Sequence, residues 1–348
     1  MRPWYATRED VKSALDLMET SRSNQRIDRA IAAASLAIDG AMNRTFYPFL
    51  GTFYFPWPNF QYAYAWQLWF EQHDCVSVTS VVCNGVTIPS NNYYLEPVNS
   101  GPPFMYLELN LETNAAFAGP LQRTIAITGK WSYSNTEDVV GALSVQLNGT
   151  DTLVTSVTWS TARIGVGDIL RIDTEYLIVT ERSYVAVGQN LGGTGVTALK
   201  SDTFLTVANG ATFSPDEIIV IDSEKMLVTD VIGNGLVVER AYDGSVLAAH
   251  VAGTAIYARI GVQLARGQLG SVAAVHAIAS TVYKFVIPAL INQLCIAESL
   301  SSVLQEVAGY SRTIGSGDSA RAASGKGLAD IRDQAAQAHA RLGRIGAV

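Results

Sequence analysis

The chain has 348 residues, of which 48% are hydrophobic and 16% are charged. This length exceeds the usual size of one hydrophobic core, so we expect two or more compact units, and the composition excludes a disordered chain. The three cysteines are scattered and predict no disulfide framework. No apolar run approaches the roughly 20 residues that span a membrane, so a membrane protein is not expected.

The net charge of −7 is unevenly distributed. Residues 1–140 sum to −4, residues 141–260 to −6 and residues 261–348 to +3. Binding to duplex DNA draws most of its affinity from the neutralisation of phosphates. The acidic body therefore argues against sequence-specific DNA recognition.

Two amphipathic helices are predicted within residues 1–48. Thr7 precedes Glu9 and Asp10, an arrangement that caps free backbone amides and suits the positive end of a helix dipole. A second apolar stripe recurs at helical spacing. It consists of Ile27, Ile31, Ala34, Ile38 and Met42. Both helices are too short to be stable alone, so we expect them to pack on other elements or on a neighbouring subunit.

Residues 49–140 are rich in aromatic and β-branched residues punctuated by Pro, Asn and Gly, which predicts short strands joined by turns. Asn84-Gly85 is the strongest hairpin signal of the chain. The predicted strands are Thr52–Phe55, Val76–Cys83, Tyr93–Leu95, Met105–Leu109 and Thr124–Thr128.

Three tryptophans, Trp57, Trp66 and Trp69, lie close together in this aromatic-rich β segment. Aromatic residues at such density are typical of protein interfaces. We therefore interpret the three as a surface between subunits, with a buried core as the alternative.

Residues 141–260 contain an internal repeat that appears when the sequence is shifted by 49 residues, which places 168–180 over 217–229. In each copy an apolar strand, an acidic turn and a second apolar strand follow one another. This pattern predicts an inserted β domain of two tandem hairpin units, at about 152–205 and 206–258.

The repeat turns carry two acids each, Asp173 and Glu175 in the first unit and Asp222 and Glu224 in the second. Clustered carboxylates could bind calcium. Two acids per turn are few for that purpose, so solvated hairpin tips are the favoured interpretation.

The C-terminal part is predicted to be helical again. Residues 261–311 are interpreted as a long helix with a kink at Pro288. Residues 312–327 are rich in Gly and Ser and predict a flexible linker. Residues 328–348 form a narrow apolar seam that suits docking on another helix. The docking residues are Leu328, Ile331, Ala335, Leu342 and Ile345, with Arg332 beside them.

No catalytic residue, metal site or cofactor is predicted. The glycine pattern at 193–198 resembles a dinucleotide fingerprint but is not followed by a helix, so we interpret it as a turn. His73 has Cys75 and Cys83 nearby, but a zinc site would need a fourth ligand. We therefore expect a protein that is not an enzyme.

The order of these segments resembles the head-to-tail adaptor (connector) proteins of long-tailed double-stranded DNA bacteriophages. The likeness rests on Tyr5–Val11, Asn43–Pro48, Tyr93–Pro97 and Ile125–Trp131. The stretches Ile221–Val228, Val237–Ser245 and Ala248–His250 are similar to a module of phage virion proteins. Compact adaptors lack a counterpart of residues 141–260, which is therefore an insertion relative to them.

The resemblance implies an α+β fold in which N- and C-terminal helices form an adaptor core with a β segment and an inserted all-β domain. It also implies a homo-oligomeric ring of about twelve copies below the portal protein. The ring would receive a stopper or tail terminator protein on its other side, with capsid as a further neighbour. DNA would pass through the lumen without sequence-specific binding, which suits an acidic body.

The resemblance places the protein at the head-tail junction of the virion after synthesis in the host bacterial cytoplasm. Two other functions stay open. A tail or baseplate protein whose β repeats bind a host receptor or glycan would explain the repeats but not the docking helix. A carbohydrate-active enzyme would need two carboxylates facing each other across a cleft, and the repeat-turn acids are the candidates.

Overall fold

The computed structural model describes residues 2–15, 24–57, 64–120, 122–155, 164–307, 313–314, 321–322 and 326–341. Of the described residues, 37% lie in strands and 22% in helices. The predicted fold, a helical adaptor core with a β segment and an inserted all-β domain, is therefore wrong, because large antiparallel sheets and not helices are the main part of the described structure. None of the helices in these ranges is long and apolar enough to cross a membrane.

Helices from both ends of the chain pack on one hydrophobic core. Their bounds are α1 Arg8–Ala14, α2 Asn24–Met42, α3 Ala289–Val307 and α4 Lys326–His339. The predicted start of α1 is confirmed, since Thr7 and Asp10 form a reciprocal capping box. The predicted stripe of α2 is also confirmed, because all five of its residues are buried.

The strands before residue 143 are β1 Phe49–Phe55, β2 Gln67–Trp69, β3 Cys75–Cys83, β4 Val86–Ile88, β5 Tyr93–Glu96, β6 Tyr106–Leu109, β7 Ile125–Trp131 and β8 Glu137–Ala142. The strands between 153 and 239 are β9 Leu153–Thr155, β10 Ile169–Ile172, β11 Glu175–Asn190, β12 Phe204–Thr206, β13 Ile218–Ile221, β14 Glu224–Ile232 and β15 Gly235–Glu239. The last are β16 Ala255–Gln268, β17 Thr281–Phe285, β18 Thr313–Ile314 and β19 Arg321–Ala322.

The aromatic-rich segment forms two small sheets, in the orders β1-β7-β3-β4 and β2-β6-β5. Each of the five predicted strands overlaps a strand of these sheets. The Asn84-Gly85 hairpin is confirmed, because Cys83 pairs with Val86 and both turn residues have positive φ. The two sheets enclose one core that includes Leu68, Leu107 and Ile127.

The predicted long helix over 261–311 is wrong before residue 289. Residues 255–268 form β16, residues 281–285 form β17, and the helix begins only at Ala289. Val and Ala recur in 271–287 at intervals that fit a helix, but pairing of β17 with β8 and β10 decides the structure. Pro288 precedes the first turn of α3, where its missing N–H leaves no bond unmade.

The largest sheet contains strands from 137 to 285 in the order β12-β15-β14-β13-β16-β11-β10-β17-β8, with β9 paired to β16. It divides into two equivalent halves. We call residues 137–155 and 164–183 with 261–285 the outer module, and residues 185–258 the inner module. The long strands β11 and β16 belong to both modules, and each continues from one into the other.

The pairing registers of the two modules coincide. In the outer module Leu170 pairs with Leu177 and with Lys284. In the inner module Ile219 pairs with Met226 and with Ala258. The short strands agree as well, since β9 pairs with Gly261 as β12 pairs with Gly235.

The two modules also bury equivalent cores. Each residue of the outer core has a counterpart in the inner core. The pairs, outer residue first, are Val140/Val187, Leu143/Leu191, Leu147/Val196, Val154/Leu205, Ile164/Phe213, Leu170/Ile219, Ile172/Ile221, Leu177/Met226, Val179/Val228, Val262/Leu236, Leu264/Val238 and Val282/Ile256. Strands from opposite ends of each half contribute to the same core, so each half curls around its own apolar interior.

The predicted tandem arrangement of two hairpin units is therefore wrong. The inner module is inserted into the outer one at a hairpin position. At the equivalent position of the inner module itself, Ile232 and Gly235 are joined only by the turn Gly233-Asn234. In the outer module the equivalent pair is Ser183 and Gly261. The sequence shift of 49 residues aligns only the first half of each module, which is why the nesting does not appear in that comparison.

Candidate functional site

Each module contains a buried ion pair at the same position. In the inner module, Arg240 and Glu224 have side chains with 0% exposure, and two nitrogens of the guanidinium donate to the two carboxylate oxygens at 2.8 and 2.9 Å. The backbone amides of Ala241 and Ala248 donate to the same carboxylate at 2.9 and 3.0 Å. His250 completes the set, with Nε2 3.0 Å from Glu224 Oε2.

The outer module repeats this arrangement. Arg266 donates to Glu175 at 2.8 and 2.7 Å, and the amides of Gly267 and Ala274 donate at 2.8 and 3.0 Å. His276 Nε2 lies 2.8 Å from Glu175 Oε2. The two clusters therefore have the same donors, the same acceptors and the same order along the chain.

The remaining guanidinium nitrogen of each arginine donates to backbone carbonyls of the loop that precedes β12 in the inner module and β9 in the outer module. Arg240 Nη1 donates to the carbonyls of Thr197 and Asp202, both at 3.0 Å. Arg266 Nη1 donates to the carbonyls of Asn148 and Asp151 at 2.7 and 2.8 Å. Each arginine thus joins the first and last parts of its module, a role that suits the planar, multidentate guanidinium.

Tight turns present the glutamates to this network. Asp173 and Asp222 adopt positive φ values of 51° and 55°, a conformation that Asp tolerates better than most residues. After each arginine the chain turns again, and a serine hydroxyl holds the turn. The Ser245 hydroxyl accepts from the backbone amide of Lys225, and the Ser271 hydroxyl accepts from the backbone amide of Tyr176. The local sequence therefore fixes both sides of the cluster.

The hydrogen bonds hold both glutamates ionised. Burial by itself raises the pKa of Glu224, but the hydrogen bonds from Arg240, Ala248, His250 and Ala241 outweigh burial and lower that pKa to about 2. The pKa of Glu175 is lowered to about 2 by the corresponding donors against the same effect of burial. Both carboxylates are thus constant acceptors at neutral pH.

The prediction that the repeat-turn acids are solvated hairpin tips is wrong for the glutamates. Glu175 and Glu224 are fully buried, whereas Asp173 and Asp222 are 58% and 60% exposed at their side chains. A calcium site is not supported, because both carboxylate oxygens of each glutamate already accept hydrogen bonds from an arginine. Within the described ranges no group of three or more His, Cys, Asp and Glu residues could hold a metal ion.

One signal in the sequence could have revealed these clusters. The stretch that begins at Arg240 reappears, with its spacing intact, at Arg266. The shared residues are Arg240/Arg266, Gly244/Gly270, Ser245/Ser271, Val246/Val272, Ala248/Ala274 and His250/His276. A comparison limited to the region before residue 261 misses it, because the second copy lies within the segment predicted to be helical.

The predicted docking seam of the C-terminal helix is not free. Ala335 is fully buried, and Leu328 and Ile331 pack against the helical core of the same chain. Arg332 forms an ion pair with Glu298 of α3. The expectation that this helix needs another protein to cover its apolar face is therefore wrong. Leu342 and Ile345 lie outside the described residues.

The three tryptophans predicted to form a surface between subunits are half-buried in their own chain. Trp57 lies against Phe117, with ring centroids 4.9 Å apart, and Trp69 stacks on Tyr106 at 4.5 Å. Trp66 packs against the core of the two small sheets. The structure thus places all three at the margin of a core, which favours the alternative interpretation.

His73 and the cysteines have structural environments. His73 stacks on Phe53 at 3.7 Å, and burial together with the charge of Arg341 lowers its pKa to about 4. Burial raises the pKa of Cys75 to about 12, so its thiol stays protonated. Cys75, Cys83 and Cys295 are all buried and free of disulfide bonds.

The adaptor-like motif at 43–48 lies where the helices meet the first small sheet. The backbone amide of Phe46 donates to the Tyr5 hydroxyl at 2.9 Å, and that hydroxyl donates to Asp39. Arg44 lies 2.9 Å from Asp74 and donates to the His339 carbonyl at 3.0 Å. These contacts connect the end of α2 with the start of β3 and with α4. We call the six residues that make them the hub: Tyr5, Asp39, Arg44, Phe46, Asp74 and His339.

Helix α2 has an outward face without charge. It consists of Ala32, Ala33, Leu36, Ala37, Gly40 and Ala41, all of them exposed. Leu36 is 51% exposed at the centre of this face. In the part of the chain that the structure describes, nothing covers it.

Comparison with known proteins identifies no relative. No family model matches the chain, and neither a characterised protein nor a solved structure matches it.

Proposed function

We propose that this chain is a structural head-to-tail adaptor of a tailed-phage particle. In this proposal it forms a ring below the portal, continues the DNA channel without sequence-specific contacts and offers an attachment surface to a stopper or tail protein. The proposal rests on the resemblance of the N-terminal and Asn43–Pro48 segments to adaptor proteins.

The hub is the observation that carries the proposal. Tyr5, Arg44 and Phe46 come from the two segments on which the resemblance depends, and all three contribute to one buried connection between helices and sheet. A likeness confined to surface residues would have no such common role. The residues of the motif thus contribute directly to the contacts that hold the helices and the first small sheet together.

The outward face of α2 is the surface that we assign to contacts between neighbouring copies in the ring. Small side chains allow a close approach of two helices, and the absence of charge removes a desolvation penalty. The apolar seam of the C-terminal helix packs on the helical core of the same chain and is not available to a partner. The outward face of α2, in contrast, is uncharged and uncovered within the described residues.

The carboxylate pair required by a glycosidase finds no support. Glu175 and Glu224 lie in different modules, and each is neutralised by its own arginine. A general acid needs an accessible proton, which a carboxyl group with a pKa of about 2 does not carry at neutral pH.

Native mass spectrometry of the full chain, alone and with the portal protein of the same particle, tests the proposal. We expect a ring in the presence of portal, and we expect Leu36→Glu to abolish it. Leu304→Glu is the matched control, because Leu304 is an exposed leucine of α3 that is 45% accessible. A chain that stays a single copy at every concentration and never binds portal would contradict the proposal. Antibody labelling at the distal tail would favour the receptor-binding alternative.

A further inference from the structure

The two modules place a tyrosine at the same position of their sheets but give it different partners. In the outer module Tyr283 lies directly opposite Arg171. In the inner module Tyr257 lies directly opposite Val220. Because directly opposite residues on neighbouring strands contact each other through their side chains, this exchange changes what lies against the tyrosine ring.

The outer module holds a guanidinium group at this position. Arg171 Cζ lies 4.3 Å from the centroid of the Tyr283 ring, a cation–π contact. Arg171 Nη1 donates to the backbone carbonyl of Asp173 at 2.6 Å. Arg171 Nε and Nη2 donate to the Glu137 carboxylate at 2.8 and 2.6 Å. A ring face, a carbonyl and a carboxylate thus bind the flat, charged group together.

The inner module has a pocket where the outer module has its arginine. Val220 is short and uncharged, and Tyr257 is 41% exposed. The pocket has a volume of about 480 Å³ and is lined by Tyr184, Val220, Asp222, Thr254, Ala255 and Tyr257. Among the residues that the structure describes, no lysine or arginine lines it. Its volume lies within the range of about 300–1,000 Å³ that is typical of ligand sites.

The groups that remain in this pocket suit a guanidinium. Tyr257 offers the same ring as Tyr283, and Asp222 occupies the turn position of Asp173. The Asp222 side chain is 60% exposed, and its Oδ2 lies 2.7 Å from His250 Nδ1. A carboxylate has about four acceptor positions, so Asp222 can also accept from a ligand.

A second aromatic ring replaces the acid of the outer site. Tyr184 takes the position of Glu137, as Val187 takes that of Val140 in the matched cores. The inner module therefore lacks both members of the ion pair between Arg171 and Glu137. A planar cation that enters the pocket meets two tyrosines and one carboxylate, and tyrosine rings and carboxylates are both favourable partners of a guanidinium.

We propose that the pocket between Tyr184, Tyr257 and Asp222 binds the guanidinium group of an arginine side chain from a different protein. The outer module fills the equivalent position with its own arginine, whereas the inner module receives the group from outside. The partner has a basic surface, because residues 141–260 carry a net charge of −6 and a second copy of this chain, with a net charge of −7, would be repelled. The inference does not depend on the proposed adaptor function.

An NMR titration of the full chain with ¹³C-labelled tyrosine rings tests the binding. The probe is N-acetyl-arginine amide, and the control is N-acetyl-citrulline amide, which has nearly the same shape but no charge. We expect saturable shifts of the Tyr184 and Tyr257 ring signals with the arginine probe, and binding of the citrulline probe that is at least about fivefold weaker. Equal binding of the two probes, or no saturable shift with arginine, would overturn the proposal.

Val220→Arg is the sharpest variant, because it copies the outer module and supplies a guanidinium to the Tyr257 ring from within the chain. We expect it to abolish binding of the arginine probe, whereas Val220→Leu, the uncharged control, should retain binding. Tyr257→Leu should also abolish binding, followed at the Tyr184 ring, and Tyr283→Leu in the outer module should not. Undiminished binding in Val220→Arg or, if that variant failed to fold, in Tyr257→Leu would overturn the proposal.

Native mass spectrometry of the same variants tests the source of the arginine. If a different protein supplies it, Val220→Arg and Val220→Leu should associate with themselves to the same extent. Weaker self-association of Val220→Arg would assign the pocket to a second copy of the chain and overturn the assignment to a different protein.

Discussion

Each buried glutamate of the two modules accepts five hydrogen bonds, two from an arginine, two from backbone amides and one from a histidine. A network of this kind adds little stability relative to an apolar core of the same shape, because both charges must be desolvated. It is sensitive, however, to the loss of one partner, because the other charge is then buried without compensation. Substitutions in this network are therefore expected to destabilise a module more than substitutions on the surface of the module.

Replacement of the carboxylate should show this sensitivity. Glu224→Gln keeps the shape of the side chain but leaves Arg240 buried without an opposite charge, so we expect the free energy of unfolding of the inner module to fall by about 3–5 kcal/mol. Chemical denaturation followed by hydrogen exchange measures this loss. Glu239→Gln, an exposed glutamate of the same module, should change it by less than about 0.5 kcal/mol. Equal effects of the two variants would show that the cluster is not the determinant.

The lowered pKa values predict resistance to acid. A carboxyl group whose pKa is lower in the folded state contributes stability above its ordinary value of 4.5 and loses that contribution as the pH falls through the folded value, here about 2. We therefore expect the strands around Glu175 and Glu224 to stay protected from hydrogen exchange at about pH 3. Loss of protection between about pH 5 and about pH 4 would contradict the assigned pKa values.

At the scale of single elements, local signals were sufficient where local interactions decide the structure. The capping box at Thr7, the stripe of α2 and the Asn84-Gly85 turn were all predicted from short stretches and are confirmed. Residues 271–287 show the opposite case: their apolar residues have helical spacing, but residues 281–285 form the strand β17 because they pair with the distant strands β8 and β10. The burial of Glu175 and Glu224 was likewise unpredictable from the turns alone, because the arginines that neutralise them lie outside the turns, 91 and 16 residues further along the chain.

Strand β7 contains a close backbone contact that only glycine permits. A Cβ atom at Gly129 would lie 2.2 Å from the Ser77 carbonyl oxygen in the neighbouring strand β3. We therefore expect Gly129→Ala to lower the melting temperature of the chain through a loss of about 1–3 kcal/mol. Gly149→Ala is the control, since a Cβ atom there meets nothing within 4 Å. Equal melting temperatures for the two variants would contradict the described register of β3 and β7.

At the scale of the whole molecule, helix α1 connects the helical core with the outer module and with the junction between the two modules. Arg8 pairs with Asp28 of α2 and with Glu181 of β11. Glu9 accepts from the backbone amide of Val166 in the outer module and pairs with Arg259 beside the inner one. The N-terminal helix is therefore placed to hold the junction between the modules against the helical core.

The nested arrangement has a simple physical basis. A hairpin tolerates an insertion at its tip if the two ends of the inserted segment are themselves paired as neighbouring strands. The pairing register of the original hairpin is then unchanged. The inner module satisfies this condition, since β11 and β16 enter and leave it as neighbours. Its ends therefore prolong the ladder of the outer module instead of interrupting it.

Excision of the inner module tests the nested arrangement most directly. The variant joins Ser183 to Gly261 through Gly-Asn, the turn that the inner module uses between Ile232 and Gly235. We predict that it folds, unfolds cooperatively and keeps residues 169–179 protected from hydrogen exchange. A control that joins Ser183 through Gly-Asn to Val262 shifts the register by one residue, turns the core side chains of β16 outward and should not fold. If the first variant is unfolded, or if both variants behave alike, the two modules are not nested units and the account is wrong.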